Sequence, residues 1–312
     1  MKSKNKLFIF GSSKIVHHHI RAAKKNKFQI IGISTLSNKK TNIKRIAYKF
    51  KIKNYFNNLD SAKIFIKRNI GLNILISGRI IDNFKIINNV GSYAHKIILE
   101  KPIETKIINF KRYSKFSKKI FVGYNRIYYS NINLIKKKIK QNLFNNVVCI
   151  CPEKNLTEIN KNTCHIISVL FYLFGKLKIT NIVINNDAIY CVLRNKKTMI
   201  QLNIMFNAST NYSINFFYEK LNFQLKPIEN LKIYKGIKIK KNNGKKIYEP
   251  SLIKNLYENN NLFKEGFINQ YKNFKLFCQN KKCDYVNLDN AKLISGVCDL
   301  ITKKYLKYEK NL

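Results

Sequence analysis

The hydrophobic positions of the first 125 residues fall into short, nearly unbroken runs. Between them lie longer stretches in which apolar residues recur every three or four positions. Unbroken runs mark strands buried on both faces, and the longer period marks amphipathic helices. KLFIF (6–10), FQIIGIS (28–34), LNILIS (72–77), KIILE (96–100) and KIFVGYN (119–125) therefore predict five strands. Helices are predicted at 14–26, 41–51, 60–68, near 82–90 and near 104–117, with Asp60 or Ser61 as an N-cap for the third. Such alternation predicts a parallel sheet covered on both faces, a doubly wound architecture of the nucleotide-binding kind.

After about residue 145 the rhythm changes. NTCHIISVLFYLFG (162–175) predicts a helix closed by Gly175. Strand-like runs follow at 178–184, 188–194, 199–206, 212–218 and 221–225, without long helices between them, which predicts an antiparallel sheet. KIKKNNGKK (238–246) reads as a polar loop, and helices at 262–278 and 288–304 close the chain. The expected organisation is α/β. An N-terminal Rossmann doubly wound parallel sheet occupies residues 1–125. An α+β domain with a mostly antiparallel sheet occupies 126–312, its last helices free to pack back on the first domain. No internal repeat or Pro/Ser-rich linker interrupts the 312 residues.

Charge changes this picture little. Sixty basic residues face 16 acidic ones, a net +44. That alone suggests a nucleic-acid-binding protein. The lysines are spread evenly, however, and Lys, Ile and Asn dominate even inside the predicted strands, the signature of composition drift. No specific nucleic acid and no membrane partner is expected, only weak polyanion binding as a by-product. The seven cysteines (149, 151, 164, 191, 278, 283, 298) form no metal framework, and no metal is expected. Their odd number, and an opening MKSKNKLFIFGSSK with only four consecutive apolar residues, predict a reducing cytoplasm.

Candidate chemistry begins at IFGSSKIV (9–16), where a dinucleotide fold makes its phosphate turn. Only Gly11 of the usual three glycines is present. Ser13 stands at the second position and Val16 at the third. Gly11, Ser12, Ser13, Lys14 and Ile15 are the candidate phosphate residues, with an ordinary strand-to-helix turn as the alternative. The second strand ends ISTLSNKK (33–40), without the acid that usually holds ribose hydroxyls. Ser34, Thr35, Asn38, Lys39 and Lys40 suit a 2′-phosphate better, which tilts the cofactor, NAD or NADP, toward NADP. Ser77 ends the next long strand on the same side. Glu100-Lys101-Pro102 closes KIILE on the carboxyl edge, where open α/β sheets bind ligands.

Glu100-Lys101-Pro102 resembles the E-K-P hallmark of the glucose–fructose oxidoreductase, inositol dehydrogenase and MocA (Gfo/Idh/MocA) family. FVGYNRIYY (121–129) is similar to that family's next strand, CHIISVLFYLFG (164–175) to its histidine-bearing helix, and EGFINQYKNFKLF (265–277) to a later helix carrying a Gln. Gly11 and His19 fit its first turn and helix. The likeness covers nearly the whole chain. It implies an open second sheet that serves as an oligomer interface. It also implies an NAD(P)-dependent oxidoreductase acting on a sugar or nucleotide-linked sugar, in a setting such as surface polysaccharide synthesis. By the resemblance Glu100, Lys101 and Pro102 meet the cofactor, Lys101 moves the substrate hydroxyl proton, and His165 is the second acid–base group across one cleft. Tyr124, Asn125 and Arg126 are implied substrate contacts, and His165 also faces the substrate. Many members carry Asp four residues before this His and another three after it. Lys161 and Ser168 stand there instead, so Lys161 either grips an anionic substrate group or marks a non-catalytic, cofactor-binding or regulatory member.

Overall fold

A computed structural model describes residues 5–36, 40–139, 146–258 and 263–311, without the side chains of residues 40, 41 and 242. In chain order the first elements are β1 (Lys6–Phe10), α1 (Lys14–Lys25), β2 (Gln29–Ser34), α2 (Lys40–Phe50), β3 (Asn54–Phe56), α3 (Leu59–Arg68), β4 (Asn73–Ile76), α4 (Ile80–Val90), β5 (Ile97–Glu100) and β6 (Ile120–Gly123). Then come α5 (Ser130–Ile139), β7 (Asn146–Glu153), α6 (Cys164–Phe174), β8 (Lys178–Asn185), β9 (Ala188–Arg194), β10 (Met199–Phe206), β11 (Ser213–Tyr218) and β12 (Leu221–Leu225). β13 (Asn230–Asn242), β14 (Lys245–Tyr257), α7 (Phe267–Cys278) and α8 (Leu288–Glu309) complete the chain. Two compact units result, Met1–Tyr128 with Asn260–Gly296, and Tyr129–Asn259 with Val297–Leu312.

The first unit is built on a six-stranded sheet of order β3-β2-β1-β4-β5-β6, every pairing parallel. This is the Rossmann order. The unbroken apolar runs are explained by burial on both faces: Leu7, Ile9, Ile74, Leu75, Ile98 and Val122 are wholly enclosed. α7 joins this unit through an aromatic cluster, Phe274 lying edge-on to Phe121 and stacked near Phe28.

Three local expectations are corrected. The stretch between β5 and β6 is a 3₁₀ helix, Ile107–Lys119, not an α-helix near 104–117. Its buried residues are Phe110, Tyr113 and Phe116, spaced by three, which is the repeat of a 3₁₀ turn. The N-cap of α3 is Asn58, whose side chain accepts the Ser61 N–H at 2.8 Å, rather than Asp60 or Ser61. The short edge strand β3 was not expected, because three residues carry too little pattern to read.

The second unit holds an eight-stranded sheet of order β14-β13-β12-β11-β7-β10-β9-β8. All pairings are antiparallel except β7 with β10. Alternate residues Ile200, Leu202 and Ile204 of β10 are buried while their neighbours Gln201 and Asn203 are not. Phe174 of α6 packs near Phe216 of β11. The supposed polar loop 238–246 is corrected. Strands occupy Lys238–Asn242 and resume at Lys245, leaving Asn243-Gly244 as a two-residue turn with both φ angles positive. Asn-Gly is the pair such a hairpin requires. β7 and α5 also went unread. Among the described residues no helix is long and apolar enough to cross a membrane.

Candidate functional site

One row of residues runs along the carboxyl edge of the parallel sheet. Strand register pairs Phe10 with Ser34 and Ile76, Leu99 with Ile76, and Glu100 with Gly123. One step further on, Thr35, Gly11, Ser77, Glu100 and Gly123 therefore follow each other across the sheet. Four of the five are small, and the fifth is a carboxylate. Gly11 has φ +146°, its N–H donates to Ser34 O at 2.8 Å, and a Cβ there would lie 2.3 Å from the Ser77 carbonyl oxygen. Only glycine fits, which is the physical basis for that single retained glycine.

Beside this row lies a cleft of about 190 Å³, lined by Gly11, Ser12, Ser13, Thr35, Ser77 and Arg79 among others. The Ser12 and Thr35 hydroxyls are 3.3 Å apart across it. Ser13 is the extended N-cap of α1, so the unpaired amides at the start of that helix open here. Val16 at the third glycine position is fully buried, and that departure is absorbed by the core. Gly11, Ser12, Ser13, Thr35 and Ser77 are thus gathered in one place. Ser34 is not in the cleft lining, and its hydroxyl donates to Asn58 O at 3.2 Å. Lys14 is exposed on α1 and Ile15 is half-buried. Asn38 and Lys39 lie outside the described residues, and of Lys40 only the backbone is described.

Sequence reasoning did not pick out Arg79 and Asp82, which line the same cleft as a bidentate pair at 2.8 and 3.2 Å. In a chain with 60 cations, nothing marked Arg79. The glycine turn and the cleft fit a dinucleotide: a turn that only glycine can make, the hydroxyls of Ser12, Ser13, Thr35 and Ser77, helix amides, and one cation held by a carboxylate.

The Glu100-Lys101-Pro102 turn follows the last residue of β5. The Lys101–Pro102 peptide is cis. Lys101 is half-buried and Pro102 buried. The turn is tied down from behind. Asn83 of α4 donates to Ile103 O at 3.2 Å, and buried Glu104 accepts from Tyr113 Oη at 2.9 Å and Asn109 Nδ2 at 3.3 Å. Burial, then this carboxylate, push the Tyr113 phenol well up. Past β6, Tyr124 is wholly buried, Asn125 donates to Glu265 O at 3.0 Å, and Arg126 is half-buried.

His165 and Lys161 belong to the second unit. His165 is the second residue of α6 and is largely buried. A π turn, Ile159–Thr163, runs directly into that helix. Buried Glu153 at the end of β7 holds the junction. It accepts from the Thr163 N–H at 2.9 Å, from the Thr163 hydroxyl, and from Asn162 Nδ2 at 3.2 Å. Sequence reasoning missed Glu153, although the alternation Cys149-x-Cys151-x-Glu153 carried the signal of a buried acid. Lys161 is exposed and lies 2.7 Å from Glu158. A cavity of about 560 Å³ also lies in this unit, between the β11–β12 turn and β13, and none of the predicted site residues line it. Among the described residues no three His, Cys, Asp or Glu side chains group as metal ligands.

Neither a family model nor a curated protein matches the sequence. Solved structures do. A dehydrogenase (MviM) from Clostridium difficile is 15% identical, with a TM-score of 0.72 over 96% of this chain and 99% of its own. Levoglucosan dehydrogenase in complex with NADH and L-sorbose is 13% identical, with a TM-score of 0.75 over 97% and 96%. An oxidoreductase from Agrobacterium radiobacter in complex with NAD+, L-tartaric acid and magnesium is 10% identical, with a TM-score of 0.70 over 95% and 94%. The chain has the fold of the Gfo/Idh/MocA-type dehydrogenases.

Proposed function

We propose that this chain is an NAD(P)-dependent oxidoreductase that moves a hydride between a nicotinamide cofactor and a secondary alcohol of a sugar or nucleotide-linked sugar. The observation that carries the reading is the edge row: Glu100, followed directly by Lys101 and Pro102, stands in line with the glycine turn and its cleft. The cofactor, when bound, supplies the hydride acceptor or donor. Lys101 takes or returns the hydroxyl proton, and His165 is the second acid–base group. NADP is favoured over NAD because Ser34, Thr35 and Leu36 offer no carboxylate for ribose hydroxyls and Arg79 adds a cation to the cleft wall. Levoglucosan dehydrogenase, complexed with NADH and L-sorbose, shares the fold and supports a sugar as substrate. Exposed apolar residues on β13 and β14, among them Ile237, Ile239 and Tyr248, support association of copies through the second sheet. None of the seven cysteines is joined in a disulfide, which fits a reducing cytoplasm.

Titration of NADH and NADPH fluorescence in about 0.15 M salt tests the cofactor, because salt removes non-specific anion binding to so basic a chain. A panel of sugars and nucleotide sugars then tests turnover. Lys101→Met is expected to lower kcat by about 100-fold or more while leaving dinucleotide affinity within a few fold. Unchanged turnover in that variant removes Lys101 from the chemistry. Lys161 and Ser168, where the family carries acids, favour a second reading, a cofactor-binding protein without turnover. Tight dinucleotide binding with no activity across the panel establishes it.

A further inference from the structure

Three side chains from three elements of the first unit meet out of solvent beside the edge row: His19 of α1, Glu100 of β5 and Tyr271 of α7. His19 and Tyr271 are completely buried. His19 Nδ1 lies 3.1 Å from the Tyr271 hydroxyl, and His19 Nε2 lies 3.2 Å from Glu100 Oε1. The second contact is off the axis of an ideal N–H···O bond. Both atoms are nevertheless sealed from solvent, and neither has another partner among the described residues. A small rotation of either side chain completes the bond.

The partners assign the proton positions. A carboxylate can only accept, so Nε2 carries hydrogen. A proton on Nδ1 as well would turn the Tyr271 hydroxyl into an acceptor and strand its own proton in the core. Burial and the Glu100 charge both hold the Tyr271 phenol protonated. The consistent arrangement is Tyr271 O–H donating to Nδ1 and Nε2–H donating to Glu100. The same oxygen is pressed against Gly123, where an added Cβ would collide with Oε1. The carboxylate therefore has the imidazole as its neighbour and room left for it only by a glycine.

We propose that His19, backed by Tyr271, is a positioning residue that fixes the orientation of the Glu100 carboxylate for dinucleotide binding, with Gly123 leaving the carboxylate its space. The inference rests on the oxidoreductase reading for its ligand and adds three residues to it. A buried His–Tyr pair contributes little net stability over a well-packed apolar pair once its hydrogen bonds are weighed against desolvation, so its value lies in direction.

The test is a double-mutant cycle on NADPH and NADH affinity in the full chain, read by nicotinamide fluorescence, with thermal unfolding recorded for every variant. His19→Leu is expected to weaken binding by about tenfold, the scale of one hydrogen bond to a charged group. In a Glu100→Gln background the same substitution is expected to cost less than about twofold. His19→Gln, whose amide reaches the Nε2 position, restores affinity to within about threefold, whereas His19→Asn, which reaches only Nδ1, does not. Gly123→Ala crowds the same carboxylate. Its methyl meets Glu100 Oε1 and Cδ and comes close to the Glu100 Cα, so the thermal unfolding record shows whether the fold is kept, and in a folded variant the displaced carboxylate reproduces the His19→Leu loss. Side-chain ¹⁵N spectra of the wild-type protein are expected to show His19 as the neutral Nε2–H tautomer. A tenfold loss that persists in the Glu100→Gln background, or an Nδ1–H tautomer, overturns the proposal. Wild-type protein that binds neither dinucleotide overturns the oxidoreductase reading and this inference with it.

Discussion

The two sheets of this molecule solve the same problem in opposite ways. In the parallel sheet β4 and β6 are buried at every position, so each side chain is a core residue. In the second sheet burial alternates along β9 and β10 and nearly vanishes on β8 and β14. One fold element therefore spends its hydrophobic residues on rigidity. The other leaves Val183, Ile237, Ile239, Tyr248 and Ile253 in the open. A rigid edge suits the proposed binding row, because each residue in it is placed by strand register rather than by a loop. An apolar face left open suits contact with another surface.

The sharpest way to break this comparison is to remove equivalent side chains from both sheets. Leu75→Ala in β4 deletes a wholly enclosed side chain and is expected to destabilise the protein by about 2–5 kcal/mol. Ile239→Ala in β13 removes a residue that is 57% exposed, and is expected to change stability by less than about 0.5 kcal/mol. Urea unfolding of both variants measures the difference. A large loss for Ile239→Ala at low protein concentration means that the second face is covered by something more than solvent.

The next effect in size concerns Glu153, the acidic residue that β7 takes into the core of the second unit. Its oxygens accept from two groups of Thr163 and from Asn162. Glu153→Gln replaces an acceptor by a donor that faces donors, and is expected to cost about 1–3 kcal/mol. Because those contacts join β7 to the turn that precedes α6, increased amide exchange at 159–166 is the accompanying signature. Unchanged protection there would show that the carboxylate is dispensable for seating His165.

The same contrast explains what could be read from the chain. A strand buried on both faces is an unbroken apolar word, so β1, β2, β4, β5 and β6 were legible within a residue or two, and so was the sheet they form. β13 and β14 were not. IKIKK (237–241) alternates, but its lysines and its exposed isoleucines satisfy no core, and with lysine everywhere the pattern resembled a loop. Only the Asn243-Gly244 pair announced the hairpin. At the site, Gly11 and Glu100-Lys101-Pro102 were legible because a tight turn and a strand end restrict which residues fit. His19, Tyr271, Arg79 and Glu153 were not singled out as site residues, since each acts through a partner 3 to 252 positions away. A run of three histidines gives no hint that one of them is sealed against Glu100 while His17 lies against Phe50.

The smallest effect falls on Lys161, and it decides how the departure at that position is read. Lys161 and Glu158 are three residues apart, with side chains 55% and 25% exposed. The hydrogen bond from Lys161 holds the Glu158 carboxyl below its ordinary range, ahead of an opposing burial effect. A carboxyl whose pKa is lower in the folded chain adds stability above its unfolded pKa, near 4.5, and loses it as pH falls through the folded value. Solvent screens so exposed a pair, and its contribution is about 0.3 kcal/mol. Lys161→Ala is therefore expected to unfold within about 0.5 kcal/mol of wild type at neutral pH, and to be indistinguishable from it once Glu158 is protonated. With stability held constant, the substitution isolates the binding role. A raised KM for anionic sugars alone, with neutral sugars unaffected, identifies Lys161 as the group that grips a substrate charge. Equal kinetics on both classes leaves it a solvent-facing partner of Glu158 and nothing more.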